Sequence, residues 1–342
     1  RKQMSNIIKD NDKGKTANGF DFSKFMNTYG IVAILVVMVV GISLRNPQFL
    51  SINNIMNLLT QSSMYGILAL GMLLVIVSKG IDLSVGSVLA FAAVITASVS
   101  QVSDATSKMY PGMPMVPVIV SIVLALGIGA LCGYINGALI AHTKIPAFIA
   151  TLGMYTAARG AALMYSGGKP ISNLNPALGF LGSRIFTIIP IPVVIYIVII
   201  VITYVILKFT CFGASVYAIG GNINAAEISG IKVKKNISLI YLYSGLLAGL
   251  CALISMGRTG STQPSVGTGW ELIAIAATTI GGTSHSGGIG TVWGTVVGTL
   301  ILGVMTNGFT LLSVNAYIQQ IIQGLIIVVA VIFDMRKNAK KA

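Results

Sequence analysis

The side chains able to carry or pass a proton are few. Of the eight acids, Asp10, Asp12 and Asp21 precede the first apolar run, Asp104 and Glu227 fall between runs, and Asp334 closes the last. Asp82 and Glu271 sit at the edges of apolar runs. A carboxylate at membrane depth is a functional candidate, often as a proton relay. Both edge acids also have a structural reading. Thr268-Gly269-Trp270-Glu271 has capping-box spacing, in which a hydroxyl and a carboxylate satisfy free amides at a helix start. Asp82 precedes Leu83 and the next apolar run, where a carboxylate can accept such amides and offset the helix dipole. Capping is the simpler role for both, with proton coupling as the alternative. No acid falls in the middle of a run, which weighs against a proton-driven carrier.

Arg159 lies well inside the fifth run and must snorkel, pair or face water, in a lining or interhelical role or as an anchor at the interface. With Asp82, Ser84, Glu271, Ser284 and Ser286 it completes the polar candidates for a translocation path or gate. His142 and His285 lie far apart in turns and read as loop polarity. Cys132, Cys211 and Cys251 are too scattered for a disulfide framework, and no metal-ligand spacing occurs. Gly14-Lys15-Thr16 lacks the glycine that a phosphate loop needs five residues earlier, where Lys9 stands. The chain is therefore expected to hold no cofactor, to catalyse no reaction itself and to hydrolyse no ATP.

The elements that position these residues follow from composition. Of 342 residues, 55% are apolar and 9% charged, against roughly 25% charged in soluble domains. Such a chain belongs in a membrane, which it can cross only as helices or a closed barrel. Apolar runs fall near 26–44, 60–78, 84–101, 116–141, 147–165, 185–207, 237–257, 271–283, 289–308 and 317–334, predicting an all-α membrane protein of about ten helices. The eighth is short and leads into Gly281, Gly282, Gly287 and Gly288, as a helix broken at membrane depth would. The first run could serve as a secretory signal, but Arg45-Asn46-Pro47 follows it instead of a small-residue cleavage site, which favours a retained anchor.

The formal charge of +14 would also suit a nucleic-acid binder. Placing the N-terminus inside puts 16 of the 22 Lys and Arg residues on the cytoplasmic side and five outside, with Arg159 inside a span. The positive-inside rule thus predicts N-in, C-in, and topology accounts for the charge without nucleic acid. A cytoplasmic tail (1–25), a permease domain (26–335) and a basic tail (336–342) are expected.

Gly80-x-x-x-Ser84-x-Gly86 recurs as Gly282-x-x-x-Ser286-x-Gly288, at a constant offset of 202 residues. Six spans separate the copies, so both would point the same way, as in two parallel halves around a central path. Two unrelated glycine turns are the alternative. The 208–236 segment has its own pattern. Ala218-Ile219-Gly220-Gly221 is expected to turn the chain, Asn224-Ala225-Ala226-Glu227 has the spacing of a capped helix start, and Gly230 stops the helix within two turns. Such a short helix would project as a knob, its Ala and Ile face suited to a groove on another protein. A solvated connector is the plainer reading.

Taken together, Ser78-Lys79-Gly80-Ile81-Asp82-Leu83-Ser84-Val85-Gly86-Ser87, Ala147-Phe148-Ile149-Ala150-Thr151-Leu152-Gly153, Ala218-Ile219-Gly220-Gly221-Asn222 with Ala225-Ala226 and Ser229-Gly230-Ile231, Gly281-Gly282-Thr283-Ser284 and Gly287-Gly288-Ile289-Gly290-Thr291 carry a resemblance. The chain resembles the permease subunits of bacterial ABC importers for monosaccharides, of the ribose and galactose type, over nearly its whole length beyond the N-terminal tail. The resemblance implies a permease homodimer in the inner membrane, separate ATPase subunits that carry ATP-Mg, and an extracytoplasmic sugar-binding protein that delivers substrate. It assigns Gly220, Gly221, Asn222, Asn224, Ala225, Ala226, Glu227, Ser229 and Gly230 to the loop that couples to the ATPase. Sugar would then move by alternating access, with loops 102–115, 166–184 and 258–270 receiving the delivery protein. One departure stands out: the family commonly reads Glu-Leu-Asp where this chain has Glu271-Leu272-Ile273, so any role of that acid is absent here. The alternative from another class is a proton-coupled secondary sugar transporter using Asp82 and Glu271.

Overall fold

The computed structural model describes residues 22–105 and 107–339. Asp10, Asp12, Asp21 and Gly14-Lys15-Thr16 lie outside the described residues. Every apolar run contains a helix: α1 (Phe22–Arg45), α2 (Ile52–Val77), α3 (Val85–Val99), α4 (Val118–Thr143), α5 (Ala147–Ser166) and α6 (Ile191–Phe209). The intervening segment folds as α7 (Cys211–Gly221) and α8 (Ile223–Ile228), and the chain continues through α9 (Val233–Thr259), α10 (Trp270–Ile280), α11 (Val292–Leu311) and α12 (Ala316–Ala339). Among the described residues five helices, α2, α4, α6, α9 and α11, are long and apolar enough to cross a membrane by length and composition. A two-stranded antiparallel hairpin, β1 (Arg184–Ile185) and β2 (Ile189–Pro190), stands before α6.

Helix α2 is the hub. Its most apolar window is 89% buried, as suits a helix that is apolar on every side, and it packs against α6, α9, α10 and α11. Outward faces on α6 and α12, such as Val201, Ile197, Ile321 and Leu325, stay apolar and exposed, as lipid contact requires.

Lipid tails give helices no hydrophobic drive to associate, so close backbone approach must hold them together. Helix α4 presents Gly129, Gly133 and Gly137 at fourfold spacing to Tyr241, Gly245 and Gly249 of α9. A β-carbon on Gly133 would fall 2.2 Å from the Tyr241 carbonyl oxygen, and one on Gly245 2.2 Å from that of Gly129. Any side chain there forces these two helices apart.

The connections divide between two ends of the bundle. At one end, Gly288 N–H donates to the Val77 carbonyl (2.8 Å), joining the exits of α2 and α10. At the other, bridges Gln101–Leu174 and Ile171–Thr262 and the bond from Asn175 N–H to the Ser100 carbonyl (2.7 Å) stitch loops 102–115, 166–184 and 258–270 into one cap. Gln101, buried, completes the stitching by accepting from Met109 N–H and donating to the carbonyls of Ser107 and Ser172.

Candidate functional site

Three polar groups interrupt this apolar bundle. The first is buried beside the exit of α2. Asp82 Oδ1 accepts from Ser84 N–H (3.0 Å) and from Ser84 Oγ (2.6 Å), while Oδ2 accepts from Ser244 Oγ of α9 (2.8 Å). Asn136 of α4 donates to Ser84 Oγ (2.9 Å). The expected capping by Asp82 is therefore corrected. Ser84 itself is the N-cap residue of α3 without a side-chain cap bond, and Asp82 ties the α2–α3 turn to α9 and, through Ser84, to α4. A charge-bearing group at this depth is tolerated only with such partners, and both of its oxygens have them.

Glu271 differs. Its Oε1 accepts from Gly269 N–H (3.2 Å), but Oε2 is buried without a hydrogen-bond partner among the described residues. The predicted capping box fails at its hydroxyl half: Gly269, at φ +81°, is the N-cap of α10, and the Thr268 hydroxyl donates to Ser265 (2.7 Å). A left-handed glycine starts this helix where the spacing pointed to threonine. Arg159 Nη1 donates to the carbonyls of Pro264 and Val266 (3.0 Å), fastening the approach to α10 onto α5, and lies within electrostatic range of Glu271. Of the two readings left open for Arg159, the interhelical one describes these contacts.

The second group lies where α2 and α10 exit. Gly220, in the last turn of α7, abuts two backbones at once: a β-carbon there would fall 1.8 Å from the Val77 carbonyl oxygen and 2.6 Å from Gly288 N. Tyr217 O–H of α7 donates to the Gly290 carbonyl (2.9 Å). The bend itself is held by Asp334 of α12, whose Oδ2 accepts from Ser284 Oγ (3.2 Å) and His285 N–H (3.0 Å). His285 Nε2 also meets Thr279 Oγ1 (2.8 Å), so this residue anchors the bend and is more than loop polarity. Ser286 N–H donates to Ser284 Oγ (3.2 Å), the same two-residue turn that Ser84 makes on Asp82 at an offset of 202 residues.

Helix α8 hangs from this junction. Its cap is Asn222, whose Oδ1 accepts from the amides of Asn224 and Ala225 (3.0 Å each), two residues earlier than the predicted Asn224. Ala218 to Gly221, expected to turn the chain, instead finish α7. Gly230, at φ +83°, ends the helix as expected; its N–H reaches Glu227, and Ile231 N–H reaches Ala226. Ile228 is 88% exposed and Ile223 46%, while Ala226 is buried against Ile219 and Val233.

The third group, at the opposite end of α2, went unnoticed in the sequence. A cavity of about 480 Å³ is lined by Asn57 and Gln61 of α2, Arg258 of α9, and Gln319, Gln320 and Gln323 of α12. Asn307 of α11 joins them and exchanges reciprocal amide hydrogen bonds with Asn54 (3.0 and 2.9 Å). Arg258 Nη1 donates to Gln61 Oε1 (2.7 Å). Tyr65 contributes an aromatic wall and packs edge-on against Trp270 at 5.2 Å, and Ile273 lines the cavity beside it. The signal was there to read: Asn57, Gln61 and Tyr65, and Gln319 and Gln323, repeat at fourfold spacing on apolar helices and so share one face.

A family profile described as the branched-chain amino acid transport system / permease component matches residues 54–331. The chain belongs to this permease family. As a permease it is a multi-pass membrane protein and a transport component. It is 41% identical to the ribose import permease protein RbsC of Bacillus subtilis over 320 residues, 93% of this chain and 96% of that protein. It is 38% identical to its Haemophilus influenzae counterpart over 333 residues (96% and 99%), and 38% identical to the galactose/methyl galactoside import permease protein MglC of Escherichia coli over 332 residues (95% and 98%). No solved structure matches. The permease profile covers the three polar groups, from Asn57 and Asp82 to Gln323, apart from Asp334.

Proposed function

We propose that this permease is the membrane subunit of an ATP-driven monosaccharide importer, with sugar passing from an extracytoplasmic binding protein to the cytoplasm by alternating access. The observation that carries this is the end-to-end similarity to ribose and galactose import permeases. Two copies of the chain pair in the inner membrane, and separate ATPase subunits hold ATP-Mg. The ten helices run N-in, C-in. The 16 of 22 Lys and Arg residues that this puts on the cytoplasmic side support the orientation, and the matching turns at Asp82–Ser84 and Ser284–Ser286 speak for two parallel halves.

Helix α8 is the coupling element. Its exposed Ile228 and Ile223 suit a groove on the ATPase. Movement of α8 passes through α7 to Gly220, and from there to Val77 and Gly288, at the exits of α2 and α10. The stitched cap of loops 102–115, 166–184 and 258–270 receives the delivery protein. Asp82 acts as a brace between helices: both its oxygens are engaged, so no proton is needed to satisfy it.

In the importer reconstituted with its ATPase and delivery protein, Glu227→Pro breaks α8. The expected result is normal membrane insertion with loss of sugar-stimulated ATP hydrolysis and of uptake. Unchanged sugar-stimulated hydrolysis would refute the coupling role.

A further inference from the structure

The cavity between α2, α9, α11 and α12 has a composition that selects among small solutes. Its polar lining is mostly carboxamide, from Asn57, Gln61, Asn307, Gln319, Gln320 and Gln323, with the hydroxyl residues Thr306 and Thr310 beside them, groups that both donate and accept. A ring of hydroxyls, each also donor and acceptor, is the matching ligand. Among the described residues, Arg258 is the one charged residue of the lining and no acid lines the cavity; Arg184 approaches its rim at Asn57 Oδ1 (3.5 Å). Ile273 stands where a family acid commonly stands, which removes the partner that an ammonium group would need. Tyr65 offers a flat apolar wall against which the C–H face of a sugar ring can lie. Its volume of about 480 Å³ falls within the usual range for small-molecule sites, about 300–1,000 Å³.

One donor is left over. Gln323 Nε2 is buried and makes no hydrogen bond within the described residues. Buried polar groups are normally paired, and a rotation of the Gln323 side chain, which lines the cavity, would bring this donor to a ligand oxygen.

We propose that this cavity is the permease's own binding site for a neutral polyhydroxylated ring, held by Gln61, Gln323 and Arg258 against Tyr65, and that it discriminates against amino acids. The assignment rests on the sugar-import reading and deepens it. It also decides between the two substrate classes that the family profile and the relatives name. An amino acid zwitterion would find a cation for its carboxylate at Arg258 but no anion for its ammonium, and an unpaired charge in such a site is expensive.

Trp270 packs on Tyr65 and reports on the cavity, and replacing Trp293 with Phe leaves it as the sole tryptophan. The test titrates the purified full-length chain with D-ribose, D-galactose and L-leucine at millimolar concentrations, following Trp270 emission, and measures uptake of the same solutes by the reconstituted complex. Expected are a saturable response to at least one sugar, none to leucine, and an apparent affinity weakened about tenfold or more by Gln323→Leu, which strips the pocket of a donor. Gln320→Leu, on the exposed neighbouring position, weakens it in the same direction and guards against misfolding of the first variant. Sugar uptake without any sugar response at Trp270, or with wild-type affinity in both variants, overturns the site while leaving the import reading intact. Leucine uptake without sugar uptake overturns both.

Discussion

The two ends of α2 are built on opposite principles. About 20 residues separate Asn57 from Val77, roughly 30 Å of helix, close to the thickness of the hydrocarbon core. At the Val77 end, backbone meets backbone: Gly220, Val77 and Gly288 leave no room for a β-carbon. At the Asn57 end, long amide side chains line an open cavity. In the proposed coupling the tight end would transmit displacement, because nothing there can yield without moving its neighbour, whereas the open end has room for a solute. Between them lies a buried brace, Asp82 with Ser84, Asn136 and Ser244, linking the broken segment to α4 and α9.

The contrast predicts a graded set of outcomes. The largest effect belongs to the tight end. Gly220→Val drives a branched side chain into the Val77 carbonyl, and uptake by the reconstituted complex should fall to background while the Trp270 response to sugar persists. Retained uptake would mean that this junction does not carry the coupling.

The brace comes next. Asp82→Ala strands two serine hydroxyls in the interior and is expected to lower uptake about tenfold or more, whereas Asp82→Asn keeps most of the geometry and should stay within about threefold of the wild type. Equal, complete loss in both variants under ATP-driven conditions would instead favour a titrating carboxylate.

A smaller effect is expected at the open end from Ile273→Asp, which returns an acid to the cavity wall. Sugar affinity should change by less than about tenfold while discrimination against L-leucine weakens, because the ammonium gains a partner. Binding titrations at Trp270 measure both. The smallest effect is at Thr268→Ala. Its hydroxyl donates only to Ser265, and thermal stability should change little, as at other exposed positions, within about 0.5 kcal/mol. A larger loss would restore the capping box that the geometry denies.

Much of the fold was legible in the sequence because its signals are local. Twenty apolar residues specify a helix whatever surrounds them, so every run proved helical, and the glycine-rich stretch after α10 is a bend. Caps were harder. Gly269 starts α10 and Asn222 starts α8 because neighbouring chain decides which backbone conformation the entering residue takes, and spacing alone pointed to Thr268 and Asn224. Asp82 bonds Ser244, 162 residues away, a partner that no local pattern names. The amide cavity was missed for a different reason. Asparagine and glutamine carry no charge, so acids, histidines and Arg159 drew attention away from Gln61 and Gln323, although the spacing of Gln61 from Asn57, and of Gln323 from Gln319, marks one face of each apolar helix.

The central claim is that energy reaches the cavity from another subunit through α8, with no proton passing along Asp82 or Glu271. Sugar uptake into vesicles tests it most directly, comparing the chain alone under an imposed proton gradient with the complete complex supplied with ATP and no gradient. The account predicts accumulation only in the second case. Accumulation driven by the gradient in vesicles holding this chain alone would contradict it.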